Sequence, residues 1–158
     1  MTGVGSARGL ILSDDLAARL MAHARAELPS EACALLGGDL ATGVATSVHL
    51  TRNALASPLR FEVDPRDLVR AMLGLEAAGE GLLAIFHSHT GSPAVPSPAD
   101  IREARYPVLH LVASLSDEER PLRAWRVDEV IAHEVPLTIS GTALSPTRGG
   151  EGLPSAGG

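Results

Sequence analysis

The sequence predicts a single domain of mixed α/β (α+β) class. Its length of 158 residues suits one compact domain, and its content of 45% hydrophobic and 20% charged residues is that of an average folded protein. Segments with the apolar spacing of a helix occur among shorter apolar or alternating segments that are typical of strands. This mixture indicates helices packed against a sheet around one core.

The first predicted helix covers residues 14–28. Its apolar residues recur at intervals of four: Leu16, Leu20, Ala24 and Leu28. Ser13 is placed as an N-cap, and the two aspartates that follow it face the positive end of the helix dipole. Pro29 ends the helix, and the apolar segment at residues 31–36 does not distinguish helix from strand.

Two further helices share a pattern of cap, proline and acid. Asp64 caps the first of them, Pro65 begins it and Gly79 ends it. Residues 97–100 repeat the pattern, and the helix that they begin is predicted to stop before Pro107. The sequence therefore predicts three helices.

Strands are predicted at residues 44–50, 59–63, 81–89 and 108–114, with a hairpin at residues 122–127 and 130–135. The segment at residues 81–89 is apolar until it ends in two histidines, which indicates a central strand covered on both faces. Residues 1–9 are expected to form an N-terminal extension. Residues 141–158, rich in Gly, Pro and Ser, are expected to be a disordered tail, which leaves residues 10–140 as the folded domain.

Charge and cysteine content disfavour several classes of protein. A formal net charge of −6 without a block of Lys or Arg disfavours nucleic-acid binding. No apolar run approaches the roughly 18 to 20 residues that span a bilayer, so no membrane partner is expected. Cys33 is the single cysteine, which suits the reducing cytoplasm. We expect a cytoplasmic protein in which Cys33 is a small buried residue.

His87 and His89 form a candidate metal site at the end of the predicted strand. Side chains two residues apart on a strand point to the same face, so both imidazoles can reach one ion. Catalytic zinc sites take three protein ligands and keep a fourth position for water, and two histidines with a carboxylate form an established set. Asp100, in the first turn of the next predicted helix, is the candidate third ligand.

Each part of this pattern also has a simpler interpretation. Ser97 with Asp100 is a helix-capping pair, and Asp64 with Asp67 repeats it without other chemistry nearby. Capping alone does not require the combined spacing H-x-H-x(7)-S-x-x-D, which therefore favours a metal site. The remaining histidines are interpreted as ordinary surface or structural residues: His23, His49, His110 and His133.

Two motifs carry a resemblance to a known family. HSHTGSPAVPSPAD, residues 87–100, matches the H-x-H-x(7)-S-x-x-D signature of the JAMM (MPN+) metalloproteases, also called the Mov34/MPN/PAD-1 or JAB domain. LPSEACALLGG, residues 28–38, resembles the family's P-x-E-x-C-G-x-L element. Asn53 and FEVDP at residues 61–65 are also similar to the family, and the resemblance covers about residues 10–139.

The resemblance implies a cytidine-deaminase-like β-sheet flanked by helices, with one zinc ion per chain. His87, His89 and Asp100 would bind the zinc. Glu31 would be the catalytic acid and base, and Ser97 would donate a hydrogen bond to the tetrahedral oxyanion. Spacing and composition alone do not distinguish Glu31 from the other glutamates.

The resemblance also implies a class of substrate. Thr90 follows the second histidine where the family often has proline, and Ala34 follows the cysteine where the family usually has glycine. HSHT is similar to the bacterial branch whose members act on small sulfur-carrier proteins of ubiquitin-like fold. The implied activity is a metallopeptidase or isopeptidase that cleaves the amide bond after the C-terminal glycine of a ubiquitin-like or sulfur-carrier protein, releasing cysteine or another adduct.

Two other functions stay open. One is a non-catalytic MPN-type scaffold that binds partner proteins, although such relatives usually lose a zinc ligand and none is lost here. The other is a zinc hydrolase for a small molecule, such as a deaminase. Deaminase sites normally include a P-C-x-x-C element, which a chain with one cysteine lacks.

Overall fold

The structure, a computed structural model, describes residues 7–141 and has the predicted mixed α/β class. The helices are α1 (Asp14–Ala26), α2 (Pro65–Ala78) and α3 (Pro98–Glu103). The strands are β1 (Leu10–Ser13), β2 (Cys33–Gly38), β3 (Ala45–Thr51), β4 (Gly81–His89), β5 (Leu109–Ser114), β6 (Leu122–Val127), β7 (Ala132–Val135) and β8 (Leu137–Ser140).

A six-stranded mixed sheet has the order β3-β2-β4-β5-β6-β7. Its β4 and β5 are parallel, and its other neighbouring strands are antiparallel. A separate parallel pair joins β1 to β8. Because β4 and β5 run in the same direction, the chain that leaves the end of β4 must return along the sheet before β5 begins. The loop after β4 and helix α3 belong to this connection.

Helices cover both faces of the larger sheet. Leu36 of β2 packs in the core cluster that contains Leu20 and Ala24 of α1, whereas Leu35 packs in a second cluster with Ala71 of α2. Neighbouring residues on a strand face opposite sides, so α1 and α2 lie on opposite faces. The last seven residues of β4 are all buried, as predicted for a central strand.

The predicted N-caps of the three helices are confirmed. Ser13 begins α1, Asp64 begins α2 and Ser97 begins α3, and each side chain accepts hydrogen bonds from backbone N–H groups of the first turn. Gly79 ends α2 with a φ of 71°, in the left-handed region that glycine adopts without steric cost. None of the described helices is long and apolar enough to cross a lipid bilayer.

The predicted strand at residues 59–63 is wrong. Among the described residues, this segment forms one isolated bridge, between Asn53 and Val63. Asn53 Oδ1 accepts hydrogen bonds from the backbone N–H groups of Leu55 and Glu62. A single side chain thus satisfies backbone groups that a partner strand would otherwise satisfy.

Other differences concern short segments. The ambiguous segment at residues 31–36 contributes to β2, and the predicted hairpin forms from β6 and β7. The sequence pattern does not predict β1 and β8, because each has four residues and they pair across nearly the whole described chain. Residues 1–6 of the predicted extension and residues 142–158 of the predicted tail lie outside the described residues.

Gly38 provides a test of the packing between β2 and the turn before β3. A Cβ at this position would lie 2.1 Å from the Val44 carbonyl oxygen and 2.9 Å from Ala45 Cα, and neither backbone atom can rotate away. We expect Gly38→Ala to lower the free energy of unfolding by about 2 kcal/mol. Gly91→Ala is the matched control, because a Cβ there meets no atom within 4 Å. Urea denaturation compares the two variants, and equal stabilities would contradict the prediction.

Candidate metal centre

His87 and His89 lie at the carboxyl end of β4 on one face of the sheet. Alternation along the strand places them on the side of Ile85, which packs in the cluster that contains Ala71 of α2. His87 is fully buried and His89 is 5% exposed. The two Nε2 atoms lie 3.3 Å apart, so both rings point to the same place.

Asp100 reaches the histidines from the first turn of α3. Ser97 and Asp100 form a reciprocal capping box, in which the Asp100 N–H donates to Ser97 Oγ at 3.0 Å and the Ser97 N–H donates to Asp100 Oδ2 at 2.8 Å. The same Oδ2 lies 3.0 Å from His87 Nε2 and 3.1 Å from His89 Nε2. The structure therefore brings all three predicted ligand side chains together.

The electrostatics of this cluster favour an ionised Asp100 carboxylate. Burial alone would raise the pKa of Asp100, but the close contacts with the imidazoles of His87 and His89 hold it well below its usual range. Burial lowers the pKa of His87. Burial acts on His89 in the same sense, but the hydrogen bonds to Asp100 and to the Pro93 carbonyl raise its pKa.

The arrangement of donors and acceptors fits a bound cation. The Pro93 carbonyl oxygen can only accept, so His89 carries a proton on Nδ1, 2.8 Å away. A neutral His89 then presents the lone pair of Nε2 to His87 Nε2 and Asp100 Oδ2. Lone pairs facing one another at about 3 Å repel unless a proton or a cation lies between them. These residues therefore suit a metal ion held by two imidazoles and one carboxylate.

Glu31 lies beside the cluster because of the pairing between β2 and β4. Cys33 is opposite His87 in the antiparallel register, and the Ser88 N–H donates to the Ala32 carbonyl at 3.0 Å. Continuing this register by one residue brings Glu31 level with His89.

The Glu31 carboxyl is buried and lacks full hydrogen bonding. Glu31 is 3% exposed, and its Oε1 has no hydrogen-bond partner among the described residues. Burial raises the pKa of Glu31 to about 7. The charge of Asp100 also raises this pKa, whereas His89 lowers it. A carboxyl with this pKa can accept and release a proton near neutral pH.

Ser97 is the remaining residue that the sequence marks. Its Oγ accepts the hydrogen bond from the Asp100 N–H, which leaves the hydroxyl proton available as a donor. The capping box holds this hydroxyl within a few ångströms of the Asp100 carboxylate. The structure thus places Ser97 at the edge of the same cluster.

A cavity adjoins the cluster on the side of α2 and α3. Its volume is about 320 Å³, and Asp100 lines both the cavity and the metal cluster. Its lining combines apolar side chains, among them Phe61 and Leu68, with charged ones such as Arg60. Phe61 also stacks on the His87 ring with centroids 4.4 Å apart, so it helps to fix that ring.

Sequence reasoning did not assign roles to several residues that support the site. Asn53 Nδ2 donates to the Glu31 carbonyl at 3.0 Å, and Ser88 Oγ accepts from the Ala32 N–H at 2.8 Å, so both hold the segment that carries Glu31. Both contacts join segments far apart in sequence, and no local pattern signals them. His110, which the sequence marks only as a surface or structural residue, is 5% exposed, lines the cavity and has a buried Nε2 without a hydrogen-bond partner among the described residues.

Cys33 is buried, as predicted, and it is not a candidate nucleophile. Burial raises the pKa of its thiol to about 11, so the thiolate is scarce at neutral pH. Its Sγ lies 3.4 Å from the Arg52 carbonyl oxygen, to which it donates a hydrogen bond.

Comparisons with known proteins agree with this geometry. Residues 13–128 match the family of prokaryotic homologs of the JAB domain. A CysO-cysteine peptidase of Mycobacterium tuberculosis is 30% identical over 137 residues, which cover 85% of this chain and 94% of the relative. A desampylase of Haloferax volcanii is 32% identical over 126 residues, which cover 76% of this chain and 90% of the relative.

A solved structure supports the same assignment. The solution structure of a protein from Desulfitobacterium hafniense is 31% identical, covers 84% of this chain and 93% of its own, and superposes with a TM-score of 0.76. The family match covers more than half of the chain and includes β4, α3 and the segment of Glu31. The chain therefore belongs to the family of prokaryotic JAB-domain proteins, the bacterial JAMM group.

Proposed function

We propose that this chain is a zinc-dependent metallopeptidase that hydrolyses the amide bond after the C-terminal glycine of a ubiquitin-like or sulfur-carrier protein. The observation that carries the proposal is the convergence of three donor atoms within 4.8 Å of one another, with the buried Glu31 carboxyl beside them. The activities named for the relatives support a hydrolase of this class.

The spacing of the donor atoms is compatible with zinc. Atoms bound to one tetrahedral zinc at about 2.05 Å lie roughly 3.3 Å apart. The distances between His87 Nε2, His89 Nε2 and Asp100 Oδ2 are 3.3, 3.0 and 3.1 Å. Zinc held by these three residues would keep a further position for water or substrate, as catalytic zinc sites do.

Zinc held by these residues would polarise the carbonyl of the amide bond and lower the pKa of a water molecule. Glu31 takes a proton from the attacking water and delivers it to the leaving amine as the carbon–nitrogen bond breaks. Burial beside His89 and Asp100 gives Glu31 a pKa suited to both steps. The Ser97 hydroxyl donates a hydrogen bond to the carbonyl oxygen as it gains negative charge.

The cavity next to Asp100 supports a substrate with a narrow tail. The cavity meets the cluster at Asp100, and an extended tail that ends in glycine is narrow enough to approach buried donors. The names of the two relatives, a CysO-cysteine peptidase and a desampylase, support a carrier-protein conjugate as the substrate. The released group would be cysteine or another amine.

We also infer the setting of this activity. Residues 10–140 form the catalytic domain, with residues 1–9 and 141–158 as extensions. The single cysteine favours the cytoplasm, and the net charge of −6 argues against a nucleic-acid partner. The absence of a long apolar segment argues against a membrane partner.

Zinc content tests the ligand set. We expect about one zinc per chain in protein purified without chelator, and we expect Asp100→Asn to weaken zinc binding by more than about 100-fold because a charged ligand is lost. Asp67→Asn is the matched control, since Asp67 holds the third position of α2 as Asp100 does in α3 but belongs to no metal cluster among the described residues. Titration with a competing chelator measures the affinities. Equal zinc binding in the wild type and Asp100→Asn would remove Asp100 from the ligand set.

Hydrolysis tests the role of Glu31. We expect Glu31→Gln to retain zinc and to hydrolyse a CysO–cysteine conjugate at least about 100-fold more slowly. The side-chain amide of glutamine cannot take up and deliver the proton as a carboxylate does. Intact-mass spectrometry follows the loss of cysteine from the carrier. Full activity in the variant would exclude Glu31 from the mechanism. Binding of the conjugate without hydrolysis by the zinc-loaded wild type would support the non-catalytic scaffold instead.

The raised pKa of Glu31 predicts a pH-dependent stability of the metal-free protein. Between its usual value of 4.5 and its folded value of about 7, the unfolded chain releases the proton while the folded chain keeps it. The wild type therefore loses stability as pH rises through this range, and Glu31→Gln does not share the loss. We expect the variant to gain on the order of 2 kcal/mol relative to the wild type between pH 4.5 and pH 8. Urea denaturation with chelator at both pH values checks this, and a pH-independent difference would contradict it.

A further inference from the structure

Three successive carbonyl groups of the loop after β4 are held by side chains. Ser92 O accepts from Ser114 Oγ at 2.7 Å, Pro93 O accepts from His89 Nδ1 at 2.8 Å, and Ala94 O accepts from Trp125 Nε1 at 2.9 Å. The donors at the two ends belong to β5 and β6, while the central donor is a residue of the metal cluster. The outer contacts hold the carbonyls on either side of Pro93, and the Pro93 carbonyl also accepts from the Val95 N–H at 2.8 Å.

The central contact selects one tautomer of His89. A carbonyl oxygen accepts a hydrogen bond and cannot donate one, so the contact requires the proton on Nδ1. This leaves the Nε2 lone pair directed at His87 Nε2 and Asp100 Oδ2, as a metal ligand requires. Hydrogen bonds of this kind fix the ring orientation of ligating histidines and affect metal affinity by about 10- to 100-fold.

His89 has a hydrogen bond on its Nδ1 atom, whereas His87 has none there among the described residues. His87 Nδ1 is buried without a hydrogen-bond partner among the described residues, and stacking on Phe61 holds that ring. Stacking fixes the plane of a ring but does not select which nitrogen carries the proton. The hydrogen bond to Pro93 is therefore the contact in this pair that specifies a tautomer.

Packing and a cation–π contact hold the Trp125 side chain, whose N–H donates to the Ala94 carbonyl. The residue is 7% exposed and packs with Val112 and the fully buried Ala94. The guanidinium of Arg123 lies 4.8 Å above the indole ring and is itself paired with Glu134 at 2.8 Å. An indole N–H can only donate, so the Ala94 carbonyl is a directional partner for it.

We propose that Trp125 is a positioning residue for the metal centre. Through the Ala94 carbonyl it holds the loop so that the adjacent Pro93 carbonyl fixes the Nδ1–H tautomer and orientation of His89. This rests on the proposed function in one respect, namely that His89 binds the metal through Nε2. Trp125 itself is not a member of the metal cluster.

Trp125→Phe tests the proposal, because phenylalanine keeps an aromatic ring and lacks the N–H donor. In the metal-free wild type at pH 9, a long-range ¹H–¹⁵N spectrum is expected to show His89 as the Nδ1–H tautomer. In the variant we expect a mixture of both tautomers and about 10-fold weaker zinc binding by competition with a chelator. Benzothienylalanine at position 125 keeps the bicyclic shape without the donor, and it replaces the phenylalanine variant if that one does not fold.

Val48→Ala is the control for a general loss of stability. Val48 is buried in the core cluster that α1 covers, away from the loop. We expect this variant to unfold more easily while the His89 tautomer and zinc affinity stay unchanged.

The outcomes separate the two proposals. Unchanged His89 signals and zinc affinity in Trp125→Phe would overturn the role of Trp125, as would an equal loss of zinc affinity in Val48→Ala. Failure of the wild type to bind zinc would overturn the proposed function together with this inference. If the wild type binds zinc but Trp125→Phe changes neither the His89 tautomer nor the zinc affinity, this inference alone is overturned.

Discussion

The carboxylate of Asp100 is the group on which the site depends, because one of its oxygens serves both the fold and the metal cluster. Asp100 Oδ2 accepts from the Ser97 N–H and lies within 3.1 Å of the Nε2 atoms of His87 and His89. The first contact begins α3, and the other contacts join α3 to the end of β4. No residue of α3 is buried, so these polar contacts hold the helix where packing does not. The start of the helix and the state of the cluster are therefore coupled.

The sheet supplies the other half of the arrangement. Parallel pairing of β4 with β5 sends the chain back over the sheet, and this connection carries Asp100 to the histidines. Antiparallel pairing of β2 with β4 brings Glu31 level with His89. Packing on both faces removes the end of β4 from water, which strengthens each electrostatic contact there and raises the pKa of the Glu31 carboxyl.

The sequence predicted the parts of the site that depend on local spacing. The two-residue period of a strand and the cap at Ser97 were sufficient to propose His87, His89 and Asp100 as a cluster. Glu31 depends on the register between β2 and β4, which no local pattern encodes, so it rested on family resemblance alone. The strand predicted at residues 59–63 failed because the Asn53 side chain takes the place of a partner strand.

The parallel pair of β1 and β8 has a consequence for the order of events during synthesis. Residues 137–140 follow residues 87–100 along the chain, so the candidate metal ligands emerge from the ribosome before the partner of β1 does. Pairing across this distance also requires a large loss of chain entropy before any contact compensates it. The nascent chain therefore exposes its candidate metal ligands before its smaller sheet can form.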